Sequence, residues 1–225
     1  MKLKKPIIVI EHLEDYLTKW LLIEYINSYM LTEGRLIFTN VKRRRHLEVL
    51  KVVTSKVYSE SILKIASKDS ILILDPQAEK TLTPRDCLNI KYLVIGGILG
   101  DHPPKGRTRK LITRRIGLDR GRNLGKLQFS IDGACYLAYM ISKGYSLEAI
   151  PVVRNIEIRL GEGHVIELPY VYPILKGKPI ISQALISYIK HELEEDLQYE
   201  VKHGIPREVS VEEALNTLKT ILKAK

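Results

Sequence analysis

The sequence predicts an α/β fold, a largely parallel β-sheet with helices on both faces, followed by a β-hairpin and a helical C-terminal extension. Three observations carry that expectation. Short apolar, β-branched runs alternate with stretches in which apolar residues recur every three or four positions, the pattern of strand and helix in turn. The runs are apolar at consecutive positions, as in strands buried on both faces. After Pro151 the pattern changes to alternation around a glycine turn, which marks a hairpin.

The elements follow in order. Ile7-Ile8-Val9-Ile10 is the first strand, with Glu11 and His12 just beyond it, and helical spacing runs from Leu13 to Met30. Gly34 suits a helix C-terminal cap before a second strand, Arg35-Leu36-Ile37-Phe38. Lys42-Arg43-Arg44-Arg45-His46 opens a helix that ends near Thr54, and Ile71-Leu72-Ile73-Leu74 is a third strand stopped by Asp75-Pro76. Thr83-Pro84-Arg85-Asp86 is a helix start, with Thr as cap, Pro at the first position and acid in the first turn. Tyr92-Leu93-Val94-Ile95 is the fourth strand, and a helix is expected from about Ser130 to Lys143. Val153 to Arg159 and Val165 to Leu168 form the hairpin around Gly161-Glu162-Gly163. The chain is helical from Ser182, and Ser210-Val211-Glu212-Glu213 is a capping box before the last helix. The expected division is a core over 1–150, a hairpin extension over 151–190 and a helical tail over 191–225.

At 225 residues the chain can bury one main core. No apolar run approaches the roughly 20 residues that span a bilayer, so no membrane partner is expected. The N-terminal apolar stretch is short and runs into Glu11-His12, which reads as strand rather than export signal. Cys87 and Cys135 sit in apolar contexts without metal-type spacing, which implies buried thiols, no metal site and a reducing, cytoplasmic setting. The formal net charge of +10 favours anionic partners such as RNA or a ribosome surface. Lys42 to His46 is either a solvated helix start or an RNA contact, and the basic segment from Lys105 to Lys126 brackets the glycine-rich loops.

Two segments bear the marks of a ligand site. Gly96, Gly97 and Gly100 follow a strand and let backbone approach a ligand closely, or they simply turn the chain. Leu127-Gln128-Phe129-Ser130-Ile131-Asp132-Gly133-Ala134 puts small and polar residues at a helix start, where an adenine could meet backbone amides or Ser130 merely caps the helix.

The stretch Gly96-Gly97-Ile98-Leu99-Gly100-Asp101-His102-Pro103-Pro104, followed by Arg107-Thr108, resembles the signature of a SPOUT-type family of S-adenosylmethionine-dependent methyltransferases. The characterised eukaryotic member of that family methylates an arginine of a small-subunit ribosomal protein. Ile10-Glu11-His12, Trp20, Glu24-Tyr25, Leu74-Asp75-Pro76, Arg114 to Gly117, Gln128 to Ala134, Ile156-Glu157 and Glu167-Leu168-Pro169 resemble it in the same order, over about residues 6 to 190.

The resemblance implies a trefoil knot at about residues 90–145 with S-adenosylmethionine in its bend. The residues it implies for the cofactor are Leu74, Asp75, Gly96, Gly97, Leu99, Gly100, Asp101, His102, Leu127, Gln128, Phe129 and Asp132. An arginine acceptor is a planar cation that needs carboxylates to hold it and a group to take its proton. Glu11, Glu14, Glu24 and Asp101 are the candidate acids, with His12 and His102 as proton acceptors; Glu11 and His12 form the expected substrate-side pair, beside Trp20 and Glu24. The implied acceptor is a protein arginine of a ribosomal component. RNA methylation is the alternative suggested by charge, and a non-catalytic RNA- or ribosome-binding protein the third reading. Monomer and knot-mediated homodimer both remain compatible with the sequence.

Overall fold

The computed structural model describes residues 5–100, 105–125, 127–161 and 163–223. Its centre is a five-stranded sheet in the order β2-β1-β4-β3-β5, made of β1 (Ile7–His12), β2 (Leu36–Thr39), β3 (Ile71–Leu74), β4 (Tyr92–Gly97) and β5 (Gly121–Arg122), with every pairing parallel. The consecutive apolar runs are explained by burial on both faces. Ile8 and Ile10 point into one core and Val9 into another, because side chains alternate along a strand.

The larger core lies between the sheet and α1 (Lys19–Leu31) and α5 (Ile131–Ser142). Tyr25, Phe38 and Tyr172 are fully buried within it, each worth roughly 1.5–3 kcal/mol on a transfer scale. The other face is covered by Ile62 of the short α3 (Ile62–Ile65), by Ile112 of a π-helical turn (Arg109–Thr113) and by Ile116 of α4 (Arg114–Ile116). Helix α2 (Arg44–Leu50) lies beyond β2 and buries Val49 and Leu50.

The hairpin of β6 (Val152–Gly161) and β7 (His164–Leu175), extended by β8 (Lys178–Pro179), is no separate body, since Leu168, Tyr170 and Tyr172 join the larger core. Helices α6 (Gln183–His191), α7 (Leu193–His203) and α8 (Val211–Lys223) complete the chain, and the Ser210–Glu213 capping box forms as expected.

The structure departs from the sequence reading in three places. Helix α1 begins at Lys19, capped by the Thr18 hydroxyl, so residues 13–18 are an irregular segment. Glu11 and His12 are the last residues of β1, paired in register with Gly96 and Gly97, and do not lie beyond it. The Thr83 start is a five-residue 3-10 turn, Pro84–Leu88, held by a capping box with Asp86.

Candidate active site: two adjoining cavities

All strands of the sheet run the same way, so the loops after β3 and β4 leave from one edge, where open α/β sheets hold ligands. A cavity of about 310 Å³ lies there, lined by the loop after β3 (Leu74, Asp75, Pro76, Gln77), the end of β4 and its loop (Ile95, Gly96, Ile98, Gly100), residues Lys105–Thr108, and the approach to α5 (Leu124, Leu127 to Ile131, Ala134). Leu74, Ile95, Leu124 and Ile131 make apolar walls. The polar edge comes from Gln77, Thr108 and Gln128.

The two glycines at the end of β4 have opposite duties. A Cβ on Gly96 would meet Thr108 Oγ1 at 2.8 Å, beside the cavity. One on Gly97 would fall 2.2 Å from the Tyr25 hydroxyl and 2.7 Å from Ile10, inside the packed core. Gly97 is therefore required by packing, and the Tyr25 hydroxyl lies within hydrogen-bond range of its carbonyl at 3.3 Å. Gly100 backs onto Gln128 and accepts a hydrogen bond from Tyr170 at 2.7 Å, which ties the loop to β7.

Of the residues expected at the cofactor, Leu74, Asp75, Gly96, Gly100, Leu127, Gln128 and Phe129 line this cavity together. Leu99 contributes its backbone to the edge: its N–H donates to Glu14 and its carbonyl accepts from Arg107. Asp132 is buried beneath the start of α5, where it accepts from Asn27, from the Ser130 hydroxyl and from the Gly133 amide. Asp101 and His102 lie outside the described residues. The sequence reading did not single out Gln77 or Leu124, and it named Ile98 and Thr108 within the signature but not among the cofactor residues. Gln77 and Ile98 flank expected positions, and β5, which delivers Leu124, is only two residues long and gives no periodic signal.

The acids expected on the substrate side are distributed differently. Glu11 is 3% exposed and accepts from the Thr39 hydroxyl and from the Ile62 amide, so it joins β1 to β2 and α3. Glu24, also buried, accepts from the Trp20 indole at 2.7 Å and from the Ile131 amide at 2.9 Å, holding the start of α5. Burial and then the neighbouring Asp132 push its carboxyl above the usual range. Trp20 thus packs over Glu24, away from Glu11. Neither acid is in the lining of this cavity.

A second cavity, of about 290 Å³, is lined by His12, Leu13, Glu14, Asp15, Asn40, Lys42, Arg43, His46, Leu111 and Arg115. It adjoins the first: the Leu13 side chain lies 3.7 Å from where a Gly96 Cβ would be, and Arg107, in the first lining, pairs with Glu14, in the second, at 3.2 Å. Among the described candidate acids, Glu14 is the one that lines either of these two cavities. His12 lines it too, with its ring nitrogens engaged by Tyr25 at 3.0 Å and His46 at 2.9 Å. Burial, reinforced by His46, pulls its pKa down to about 3, so the ring is neutral.

Four arginines of the basic segment are engaged by internal contacts. Arg107 pairs with Glu14, Arg109 with the buried Asp75, and Arg122 with Asp86, while Arg120 donates to the carbonyls of Asp69 and Ile71. These arginines lock the β3, β4 and β5 loops to one another, because a carboxylate as buried as Asp75 requires a cation. Arg114 and Arg115 stay exposed.

With the geometry in hand, comparison with known proteins gives one consistent result. Protein arginine N-methyltransferase SFM1 of Saccharomyces cerevisiae is 31% identical over 207 residues, covering 84% of this chain and 96% of the yeast protein. Crystal structures of the yeast arginine methyltransferase SFM1 complexed with SAM and with SAH superpose with TM-scores of 0.72 and 0.71, at 27% and 28% identity. They cover 83% and 81% of this chain, and 91% and 94% of theirs. The family described as protein arginine N-methyltransferase SFM1-like matches residues 7–196, and this chain belongs to it.

Proposed function

We propose that this protein transfers a methyl group from S-adenosylmethionine to an arginine side chain of a ribosomal protein, with the donor in the first cavity and the acceptor entering by the second. The observation that carries this reading is the adjacency of two unlike cavities across the Leu13–Gly96 and Glu14–Arg107 contacts. The relatives with solved structures were complexed with SAM, SAH and MTA, three molecules that share an adenosine part.

The first cavity fits such a molecule. Its walls of Leu74, Ile95, Leu124 and Ile131 suit a flat heterocycle, its polar rim suits sugar hydroxyls, and its volume falls within the range of ligand clefts, about 300–1,000 Å³. The absence of a side chain at Gly96 keeps the Thr108 edge open. When bound, the donor supplies a methyl group already activated by a sulfonium, so alignment and proton removal are what remain for the protein. Glu14 is placed for both tasks: it lines the second cavity and its carboxylate already binds a guanidinium, that of Arg107, through both oxygens, the chemistry by which an acceptor guanidinium sharing it would be oriented and lose a proton. Asp15 adds a second acid to the same wall.

A cytoplasmic setting belongs to the same proposal, supported by two buried thiols whose pKa burial raises, to about 12 for Cys87. So does the trefoil knot at about residues 90–145: the chain leaves β4 in mid-sheet, adds β5 at the far edge beside β3, and returns as α5 to pack over β4 and α1. The internal contacts of Arg107, Arg109, Arg120 and Arg122 engage four guanidinium groups that an RNA acceptor would otherwise meet, while the net charge of +10 stays.

The test is to incubate the protein with methyl-labelled S-adenosylmethionine and ribosomal subunits from a strain lacking the gene, and to separate protein from RNA. Label recovered as methylarginine in one small-subunit protein is expected. Label confined to RNA would overturn the acceptor assignment, and none anywhere would favour a binding protein.

A further inference from the structure

The C-terminal extension reaches the second cavity through one residue. Glu208 lies between α7 and α8, beyond the span matched by the family, and the following amide, that of Val209, donates to the Leu17 carbonyl at 3.0 Å. Its carboxylate meets His46 Nε2 at 2.5 Å, Arg43 at 3.3 Å and Arg45 at 3.8 Å. From His46 a hydrogen-bonded line continues inward, from His46 Nδ1 to His12 Nε2 at 2.9 Å, from His12 Nδ1 to the Tyr25 hydroxyl at 3.0 Å, and within 3.3 Å of the Gly97 carbonyl.

The chemistry of the line admits one neutral arrangement. An ionised Glu208 can only accept, so His46 carries its proton on Nε2 and leaves Nδ1 bare. With both rings neutral, that bare nitrogen accepts from His12 Nε2–H, and His12 Nδ1 accepts from the Tyr25 O–H, whose one proton is then turned away from the Gly97 carbonyl. Burial raises the Glu208 pKa, but the hydrogen bond from His46 and the guanidinium of Arg43 outweigh it and hold the carboxyl below its ordinary value. The anion at the surface end therefore sets the tautomer of both buried imidazoles.

We propose that Glu208 is a positioning residue of the acceptor cavity: through His46 and Arg43 it fixes one wall of that cavity, so the C-terminal extension takes part in acceptor recognition. This rests on the reading of the second cavity given above. Glu208 is absent from the lining itself and acts through the side chains it holds.

Two readouts test it, one independent of activity. Long-range proton–nitrogen spectra of the imidazoles should show Nε2–H tautomers for His12 and His46 in the native protein, and a loss of that pure state for His46 in Glu208→Ala. In the same variant the KM for the undermethylated ribosomal subunits should rise at least tenfold, while the Kd for S-adenosylmethionine changes less than twofold. Glu208→Gln keeps an oxygen for His46 but loses the charge on Arg43; it should retain the tautomer, show a smaller rise in KM, and stay folded if the alanine variant does not. An unchanged KM in both variants overturns the proposal. If Glu14→Gln also leaves that KM unchanged, the acceptor reading itself has failed; if Glu14→Gln raises it and neither Glu208 variant does, only the role of Glu208 has failed.

Discussion

The two cavities share a wall but are built from different materials. The first is formed mainly by loop backbone, apolar side chains and a glycine whose missing Cβ keeps it open, with Asp75, Lys105, Arg107 and the amides of Gln77 and Gln128 at its polar side. The second is formed by ionisable side chains, His12, Glu14, Asp15, Lys42, Arg43, His46 and Arg115, on an irregular segment, a helix start and α4. Shape recognises a large, flat, largely apolar ligand, whereas a small cation must be recognised by charge and hydrogen bonds. The contrast is the basis of the proposal that donor and acceptor sit on different sides of the Glu14–Arg107 contact.

The sharpest way to break this comparison is to fill the two glycines of β4 in turn. Gly97→Val should prevent folding, seen as loss of a cooperative thermal transition, because its Cβ collides with the Tyr25 hydroxyl and Ile10. Gly96→Val should fold and lose donor affinity by 100-fold or more in calorimetry; a folded Gly97→Val protein would mean that the core tolerates what the geometry forbids. Next in size, Arg109→Ala strands the carboxylate of Asp75, which is 1% exposed, and should cost about 3 kcal/mol in denaturant unfolding. A cost below about 1 kcal/mol would show that the basic segment is not a structural lock. Glu14→Gln removes one charge from the second cavity and should lower turnover about 10- to 100-fold, the value of a charge-assisted hydrogen bond, without changing stability by a comparable amount.

The effect that is smallest per step concerns pH, about 1.4 kcal/mol for one unit below the unfolded-state value. His12 is neutral in the fold, with its pKa pulled down to about 3, and in the unfolded chain it takes up a proton near 6.5. The unfolded state thus binds the extra proton between those values, so this contribution is fully present above pH 6.5 and is lost as pH falls, by about 1.4 kcal/mol per unit. His12→Gln should flatten the stability profile below pH 6.5 by that slope, and identical slopes in the two proteins would mean that His12 is protonated in the fold.

Much of the fold was legible because consecutive apolar runs and cap signals are local. The strands at Ile7, Ile71 and Tyr92, the helix after Ser130 and the Ser210–Glu213 box all formed where the pattern put them. What was not legible depended on distant partners. Glu14 looks like a helical position until Leu99 and Arg107 draw it out of the helix, and the basic segment looks like a nucleic-acid surface until Glu14, Asp75 and Asp86 are seen to face it. Glu11 and Glu24 have the chemistry of substrate ligands, yet β2, α3 and the start of α5 claim their oxygens. His46 was read as part of a charged surface run, and only the tail, 162 positions away, shows it to be the middle of a buried line. The loop residues around Gly96 and Gln128 came from the family resemblance, since a strand end and a helix start alone left a plain turn and a plain cap open; the structure adds that they line one cavity together.

The division of labour between the cavities is tested most directly by measuring S-adenosylmethionine affinity calorimetrically in Gly96→Val and Glu14→Gln alongside the native protein. The account predicts loss of binding in the first and native affinity in the second. Native affinity in Gly96→Val, or loss of binding in a folded Glu14→Gln protein, would contradict it.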